Sequence, residues 1–276
     1  MRAEIRDAML NLKSNLVSPC EKCGGLGWLD PDTPGVPNPC ECMVVFHYLN
    51  VLIESRIPRD YWWLGLDDLT DVGDEYKKFC RWFMKRLPKA VSNALGVVFL
   101  GPNGIGKTSM QCAIGKEAAV LGYSVRYFTA QQYIESRKAG DDKSLTEYFE
   151  QGQVILLDEL DKVYIANRST FVEKTIEDFL RRVTSNGSSL IVCTNYDEDT
   201  LEEVFGQSTS SMLRRHLKFV SVEGGDYSGK IQSRWEGIME SDRDYFSRSI
   251  VDMAARLMER EIQEDTLVWE KTERKA

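Results

Sequence analysis

An α/β fold is what this sequence predicts: a central parallel sheet flanked by helices, preceded by a small cysteine-rich module. Three observations carry that expectation. From Leu95 onward, short apolar runs alternate with stretches of helical periodicity, the pattern of strands joined by crossover helices. The run Val97-Val98-Phe99-Leu100 leads into a glycine-rich turn that opens a helix. A second run, Val154-Ile155-Leu156-Leu157, ends in two carboxylates, Asp158 and Glu159.

Composition sets the bounds. The chain has 276 residues, 42% hydrophobic and 28% charged, enough for one sizeable core and an accessory module. Its formal net charge of -8 argues against a generic nucleic-acid coat, so any DNA contact needs a local basic surface. No apolar run is long enough to span a membrane, and Met1 to Leu16 lacks the apolar core of a signal peptide. A cytoplasmic protein without a membrane partner is expected. Seven cysteines, four of them clustered, suit metal binding in a reducing compartment better than a disulfide framework.

The N-terminal stretch Met1 to Leu16 places Ile5, Met9, Leu12 and Leu16 at helical spacing. Such a helix packs on its own domain or binds a partner. Cys20-x-x-Cys23 and Cys40-x-Cys42 follow, two close pairs across a loop stiffened by Pro31, Pro34, Pro37 and Pro39. Four thiolates in this arrangement predict a closed, structural Zn²⁺ site, with Gly24, Gly25 and Gly27 allowing the tight turn. An iron–sulfur cluster uses the same ligands, but nothing else in the chain suggests electron transfer. His47 is a weaker alternate ligand.

A helix is expected over Phe46 to Ser55, broken by Ile57-Pro58-Arg59-Asp60-Tyr61-Trp62-Trp63, where a second domain begins. The next helix, Glu75 to Arg86, places Phe79, Trp82, Phe83 and Leu87 on one face and ends at Pro88. The helix after Thr108 runs to about Leu121 and closes at Gly122. Then come a strand (Ser124 to Thr129), a helix (Ala130 to Lys138), a loop (Ala139 to Asp142), a short helix (Leu145 to Gln151) and the strand ending in the carboxylates. A helix at Phe171 to Thr184 and strands at Ser189 to Thr194 and Leu217 to Val222 complete the series. Phe246, Ile250, Met253, Leu257 and Ile262 predict a long amphipathic helix near the end. The resulting division is 1–55 as a helical and zinc-binding domain, 56–230 as the α/β domain and 231–276 as a helical extension.

Gly101, Gly106, Lys107 and Thr108 satisfy G-x-x-x-x-G-K-[ST] within LGVVFLGPNGIGKTS. Glycines let the backbone close around a phosphate, and the following helix presents its positive end to the same anion. The stretch Gly101, Pro102, Asn103, Gly104, Ile105, Gly106, Lys107, Thr108 and Ser109 is therefore the expected cradle for ATP phosphates. Lys107 would reach the outer phosphates. Thr108 and Asp158 would hold Mg²⁺. Glu159 would be the general base for the attacking water. Asn195 would bond the γ-phosphate or that water, although an Asn after a strand also serves as a plain turn residue.

Taken together, the cysteine module, Ile57-Pro58-Arg59-Asp60-Tyr61, GPNGIGKTS, LLDEL, CTN and Glu223-Gly224-Gly225-Asp226-Tyr227 occur in the order found in a known family. The chain resembles the DnaC/IstB-type AAA+ ATPases, and within them the bacterial and phage replicative helicase loaders. The resemblance covers about Pro19 to Lys230. It implies an AAA+ P-loop ATPase that self-associates into a ring or spiral with ATP between subunits. It further implies that the N-terminal region binds the replicative helicase, and that single-stranded DNA lies along the inner surface. Arg137, Lys138 and Lys143 are the DNA candidates, with Tyr133 stacking a base; the plain alternative is a solvated helix face with a core tyrosine. The family's trans-acting arginine falls at Ser211-Met212-Leu213, which carries none. Arg214 or Arg215 would take its place, Arg214 being favoured, unless both lie on a solvated or DNA-facing surface. The function implied is ATP-dependent delivery of a hexameric DNA helicase onto single-stranded DNA in replication initiation. The alternatives are a transposition helper acting with a transposase on duplex DNA and a non-hydrolysing nucleotide-switch adaptor. A small-molecule kinase fits less well, since Asp158, Glu159 and Asn195 suit water activation.

Overall fold

The computed structural model describes residues 20–30, 38–62, 64–66, 72–138, 143–163 and 169–224, with positions 10, 13, 17, 18 and 69 besides. The expected N-terminal helix (apart from Leu10 and Lys13), the loop at 139–142, Gly225 to Tyr227 and the C-terminal helix lie outside these residues.

Five strands form one sheet: β1 (Gly96–Leu100), β2 (Val125–Thr129), β3 (Val154–Asp158), β4 (Ser189–Thr194) and β5 (Leu217–Ser221). Their order is β2-β3-β4-β1-β5 and every pairing is parallel. β1, β3 and β4 are buried throughout, which is why they read as unbroken apolar runs. Alternate residues feed two cores. Val97, Phe99, Leu156, Ile191 and Cys193 face one side, and Val98, Leu100, Ile155, Leu157, Leu190 and Val192 face the other.

The first face is covered by α1 (Glu41–Ser55), α2 (Asp74–Met84), α3 (Leu87–Ser92) and α4 (Lys107–Val120), and the second by α5 (Ala130–Lys138), α6 (Lys143–Glu150), α7 (Thr170–Ser185) and α8 (Glu198–His216). α4 is buried along most of its circumference. Its two interior polar residues bind backbone. Gln111 Nε2 donates to the Leu157 and Ile191 carbonyls at 3.1 and 2.8 Å, tying α4 across β3 and β4. Lys116 Nζ donates to the carbonyls of Tyr61 (2.6 Å) and Leu64, fixing the segment that follows Ile57-Pro58 to the same helix.

The structure departs from the sequence expectations in four places. α1 begins at Glu41, five residues early, with Cys40 as its N-cap. Pro88 does not end a helix; it lies in the first turn of α3, where a missing N–H costs nothing. Trp82 is not on the packed face of α2 and stays 50% exposed. The run Gly206-Gln207-Ser208-Thr209-Ser210-Ser211 is a poor helix signal, yet it lies within α8. That helix is started by the Asp197 side chain, which accepts from Thr200 N at 2.8 Å, and it kinks at Gly206 (φ 72°).

Candidate nucleotide site and cysteine cage

Parallel strands put all their C-terminal ends on one edge, and β1, β3 and β4 bring their terminal residues together there. After β1 the chain turns through Gly101 (φ 134°), Gly104 (φ 79°) and Gly106 (φ 83°) before α4. Two of these glycines are also sterically required. A Cβ on Gly101 would lie 2.3 Å from the Val222 carbonyl oxygen, and one on Gly106 2.6 Å from a Val72 methyl. Pro102, Asn103 and Gly104 are exposed at the rim, Ile105 is buried beneath them, and Thr108 and Ser109 are half-buried in the first turn of α4.

Lys107 is folded back into this loop. Its ammonium donates to the carbonyls of Gly101 (2.7 Å) and Pro102 (2.6 Å) and to Asn195 Oδ1 (2.9 Å). Burial lowers its pKa below the usual lysine value, while nearby Asp161 and Asp158 oppose that shift. Asn195, just past β4, is held from the other side by Asp161. Asp161 Oδ1 accepts from Asn195 N at 2.8 Å and Oδ2 from Nδ2 at 2.7 Å. A carboxylate can only accept and an ammonium can only donate. The Asn195 amide is thereby oriented with its NH₂ toward Asp161 and its oxygen toward Lys107 and the loop. Asp161 carried no signal beyond its place three residues after Asp158; the fold makes it a partner of the site.

Asp158 ends β3 beneath the first turn of α4. Its Oδ2 accepts from Thr108 Oγ1 (3.0 Å) and Tyr127 OH (2.8 Å), and its Oδ1 from Glu159 N (2.8 Å). Burial raises its pKa, against the pull of those hydrogen bonds. Tyr127, on β2, is a member of the site that its position in an apolar run concealed. Glu159 lies one residue past the strand in the left-handed region (φ 55°), a strained conformation for a residue with a side chain. Its carboxylate pairs with Lys162. Lys107, Thr108, Asp158, Glu159 and Asn195 thus converge on one edge. Thr108 and Asp158, joined by a hydrogen bond, are the oxygen donors that could hold Mg²⁺ below a bound phosphate chain.

The other predicted site residues lie elsewhere. Arg214, on α8, reaches back to Glu202 (3.1 Å) and Glu198 (3.8 Å) of the same helix. Arg137 and Lys138 are exposed in the last turn of α5, and the Lys143 side chain lies outside the described residues. Tyr133 offers no stacking face. It is fully buried, donates to Glu150 (2.7 Å) and accepts from Arg182 (2.9 Å), so the core reading applies.

At the N-terminal end, Cys20, Cys23, Cys40 and Cys42 bring their sulfurs within 4.8 Å of one another. Cys20–Cys40 and Cys23–Cys42 are 3.8 and 3.6 Å apart, too long for a disulfide. They match the roughly 3.8 Å edge of a tetrahedron with about 2.3 Å Zn–S bonds. Gly24, Gly25 and Gly27 all have positive φ, and Gly27 N donates to Cys23 Sγ at 3.1 Å. Burial works against the Cys23 thiolate, but hydrogen bonds from Gly27 and from the Cys42 and Cys20 thiols bring its pKa down to about 7. The donor set fits zinc, and His47 is not part of the group.

A glycine-rich phosphate loop after β1 of a five-stranded parallel sheet, with an acidic pair at the end of β3 two strands away and Asn195 just past the intervening β4, defines an AAA+ P-loop ATP-binding domain. The family described as IstB-like ATP binding protein matches residues 87–234, more than half of the 276-residue chain, and the chain belongs to it. Over 68 residues it is 34% identical to the ATP-binding protein of insertion sequence IS5376 from Geobacillus stearothermophilus. That match covers 23% of this chain and only 27% of its relative. In fold, the chain is similar to the DnaC helicase loader (TM-score 0.52, 19% identity, 60% of this chain and 100% of that one). It is also similar to domain III of the Thermotoga maritima replication initiation protein DnaA (TM-score 0.51, 18% identity, 67% and 77% covered). Among the described residues, no helix is long and apolar enough to cross a membrane.

Proposed function

We propose that this chain is an ATP-hydrolysing loader that binds a hexameric replicative helicase and delivers it onto single-stranded DNA. The observation that carries the reading is the pairing of a hydrolysis-type site with a cysteine cage built onto the first turn of α1. The cage would serve region 1–55 as the anchor for a protein partner, and region 56–230 would supply the motor. The fold shared with a helicase loader supports this reading. In the site, Lys107 would leave the Gly101 and Pro102 carbonyls for the phosphates. Glu159 would leave Lys162 and take a proton from the water attacking the γ-phosphorus as the β–γ bridging bond breaks. The Asn195 oxygen, aimed by Asp161, suits acceptance from Lys107 or that water. Bound Mg²⁺ would neutralise phosphate charge; bound Zn²⁺ would hold the cage closed.

The test is helicase loading on a single-stranded circle with ATP. The wild type should recruit the helicase and support unwinding. Glu159→Gln should still bind ATP but lose turnover by about 100-fold or more. No recruitment at any nucleotide state would sink the reading. A second reading, a transposition helper, is favoured by the resemblance to an insertion-sequence ATP-binding protein. Preference for duplex over single-stranded DNA, with capture of a transposase, would select it. ATP-dependent partner binding without turnover, unchanged by Glu159→Gln, would instead indicate a non-hydrolysing nucleotide-switch adaptor.

A further inference from the structure

α2 and α3 follow one another closely. Lys85 keeps helical dihedrals, the chain breaks at Arg86 (φ -115°, ψ 7°), and Ala90 N bonds back to Arg86 O at 2.8 Å as α3 starts. One face of the pair is apolar: Phe79, Cys80, Phe83, Leu87 and Ala90 pack into the core. The opposite face carries Lys78, Arg81, Trp82, Lys85, Arg86 and Lys89, all exposed. The spacing of three, one and three puts Lys78, Arg81, Trp82 and Lys85 on one stripe of α2, and Arg86 continues it past the break, its guanidinium over Trp82 and bonded to the Trp82 carbonyl, with Lys89 exposed one turn on. From Lys78 to Lys85 the stripe is about 10 Å long at about 1.5 Å per residue. From Lys78 to Lys89 the stripe holds no acid; Asp74 and Glu75 lie on the same face one turn earlier, at the N-terminal end of α2. Among the described residues no ion pair engages Lys78, Lys85, Arg86 or Lys89. Like charges at i,i+4 cost a few tenths of a kcal/mol per pair. In a chain of net charge -8, such a concentration is suited to an anionic ligand.

Trp82 narrows the ligand. It is half exposed in the middle of the stripe, with the Arg86 guanidinium 4.7 Å from its ring centroid. Arg86 lies over one face of the ring and the Phe79 ring is 5.9 Å away, so a base would stack on the exposed remainder of the indole, with phosphates following the neighbouring charges. A duplex keeps its bases stacked on one another; a single strand offers them. Nothing else apolar is exposed on the stripe to enter a bilayer.

We propose that the Lys78–Lys89 face of α2 and α3 is a binding site for single-stranded DNA, tracking its phosphates with Lys78, Arg81, Lys85, Arg86 and Lys89 and stacking one base on Trp82. It is distinct from the α5 residues Arg137 and Lys138, and it does not require that the partner be a helicase.

Fluorescence anisotropy of the full chain with a labelled 30-mer of deoxythymidine, titrated with salt, tests it. Lys78→Glu/Lys85→Glu/Lys89→Glu should weaken binding by about 100-fold at 0.1 M salt and flatten the log K against log salt slope by about 2, at about 0.7 per lost contact. Trp82→Ala should weaken binding by about 10-fold with the slope unchanged. Arg137→Glu/Lys138→Glu should bind like the wild type. Unchanged melting temperature and ATP binding would show each variant folded. The proposal is overturned if the triple variant binds like the wild type, or if only the α5 variant loses binding. It is equally overturned if the wild type ignores the oligonucleotide and binds phosphatidylserine vesicles. In each case the helicase-recruitment result stands independently.

Discussion

Two aspartates show how single residues set the state of the nucleotide site. Asp158 is 4% exposed, and burial holds its pKa above the ordinary aspartate value of 3.8. The native state therefore binds this proton more tightly than the unfolded chain. Stability is full at low pH and is lost as pH rises through the native pKa, in a window opening above 3.8. A carboxylate needed for Mg²⁺ thus works against stability until the ion arrives. Asp158→Asn should raise the melting temperature of the nucleotide-free protein at pH 7 by about 2–4 °C, the equivalent of about 1 kcal/mol in a domain of this size. An amide oxygen can still accept from Glu159 N, and Thr108 and Tyr127 can turn to accept from its NH₂. Mg²⁺-dependent ATP turnover should vanish in the same variant; a lower melting temperature would refute the account. Asp161 acts one step away, through Asn195. Asp161→Ala leaves the Asn195 amide free to rotate, so kcat should fall about 10-fold while KM for ATP changes less than 3-fold. A parallel loss of ATP affinity would mean that Asp161 merely supports the loop.

The elements were unequally legible. The phosphate loop and the carboxylate strand announce themselves because their chemistry restricts sequence: glycine where φ is positive, and four apolar residues where a strand is buried on both faces. Asp161 and Tyr127 were hidden because their roles depend on which strand neighbours which. The order β2-β3-β4-β1-β5 places Asn195 between the loop and the acidic strand, and sequence order gives no hint of that. The start of α1 was obscured for a different reason. Cys40 makes no side-chain capping bond, so its extended conformation matches no N-terminal signature. It is the cage that gives Cys40 its position, since Cys40 N donates to Gly27 O at 2.9 Å and its sulfur faces Cys20. Cys40→Ser, or chelation, should therefore release the expected zinc and fray the first turn of α1, seen as lost metal stoichiometry and reduced helical ellipticity. The C-terminal half of α1 packs Tyr48, Leu49 and Leu52 into the core, so ATP binding should survive. Collapse of ATP binding on chelation would show that the cage and the motor fold as one unit.

At the scale of the whole molecule, the question is whether one chain makes a complete catalytic centre. Within the loop Lys107 is the cation, and Lys162 is spent on Glu159. Arg214 is paired with Glu198 and Glu202 of its own helix, while Arg215 beside it is exposed without an ion pair among the described residues. An arginine that acts on a neighbour's phosphates must come from a heterologous, head-to-tail contact, in which each subunit offers its site on one face and its arginine on the other. That geometry has a consequence separable from folding. Glu159→Gln spoils the site that carries it, whereas Arg214→Ala spoils the adjacent one. Each variant alone should be nearly inactive. Mixed in equal amounts, about a quarter of the contacts join an intact Glu159 to an intact Arg214, so about a quarter of wild-type turnover should return. Recovery with Arg214→Ala would assign the trans role to Arg214 and require its pairs with Glu198 and Glu202 to open on assembly. Recovery with Arg215→Ala alone would move the role one residue along, to the arginine exposed beside it. If neither mixture recovers, hydrolysis is completed within a single chain, and assembly serves the DNA or the partner protein rather than the chemistry.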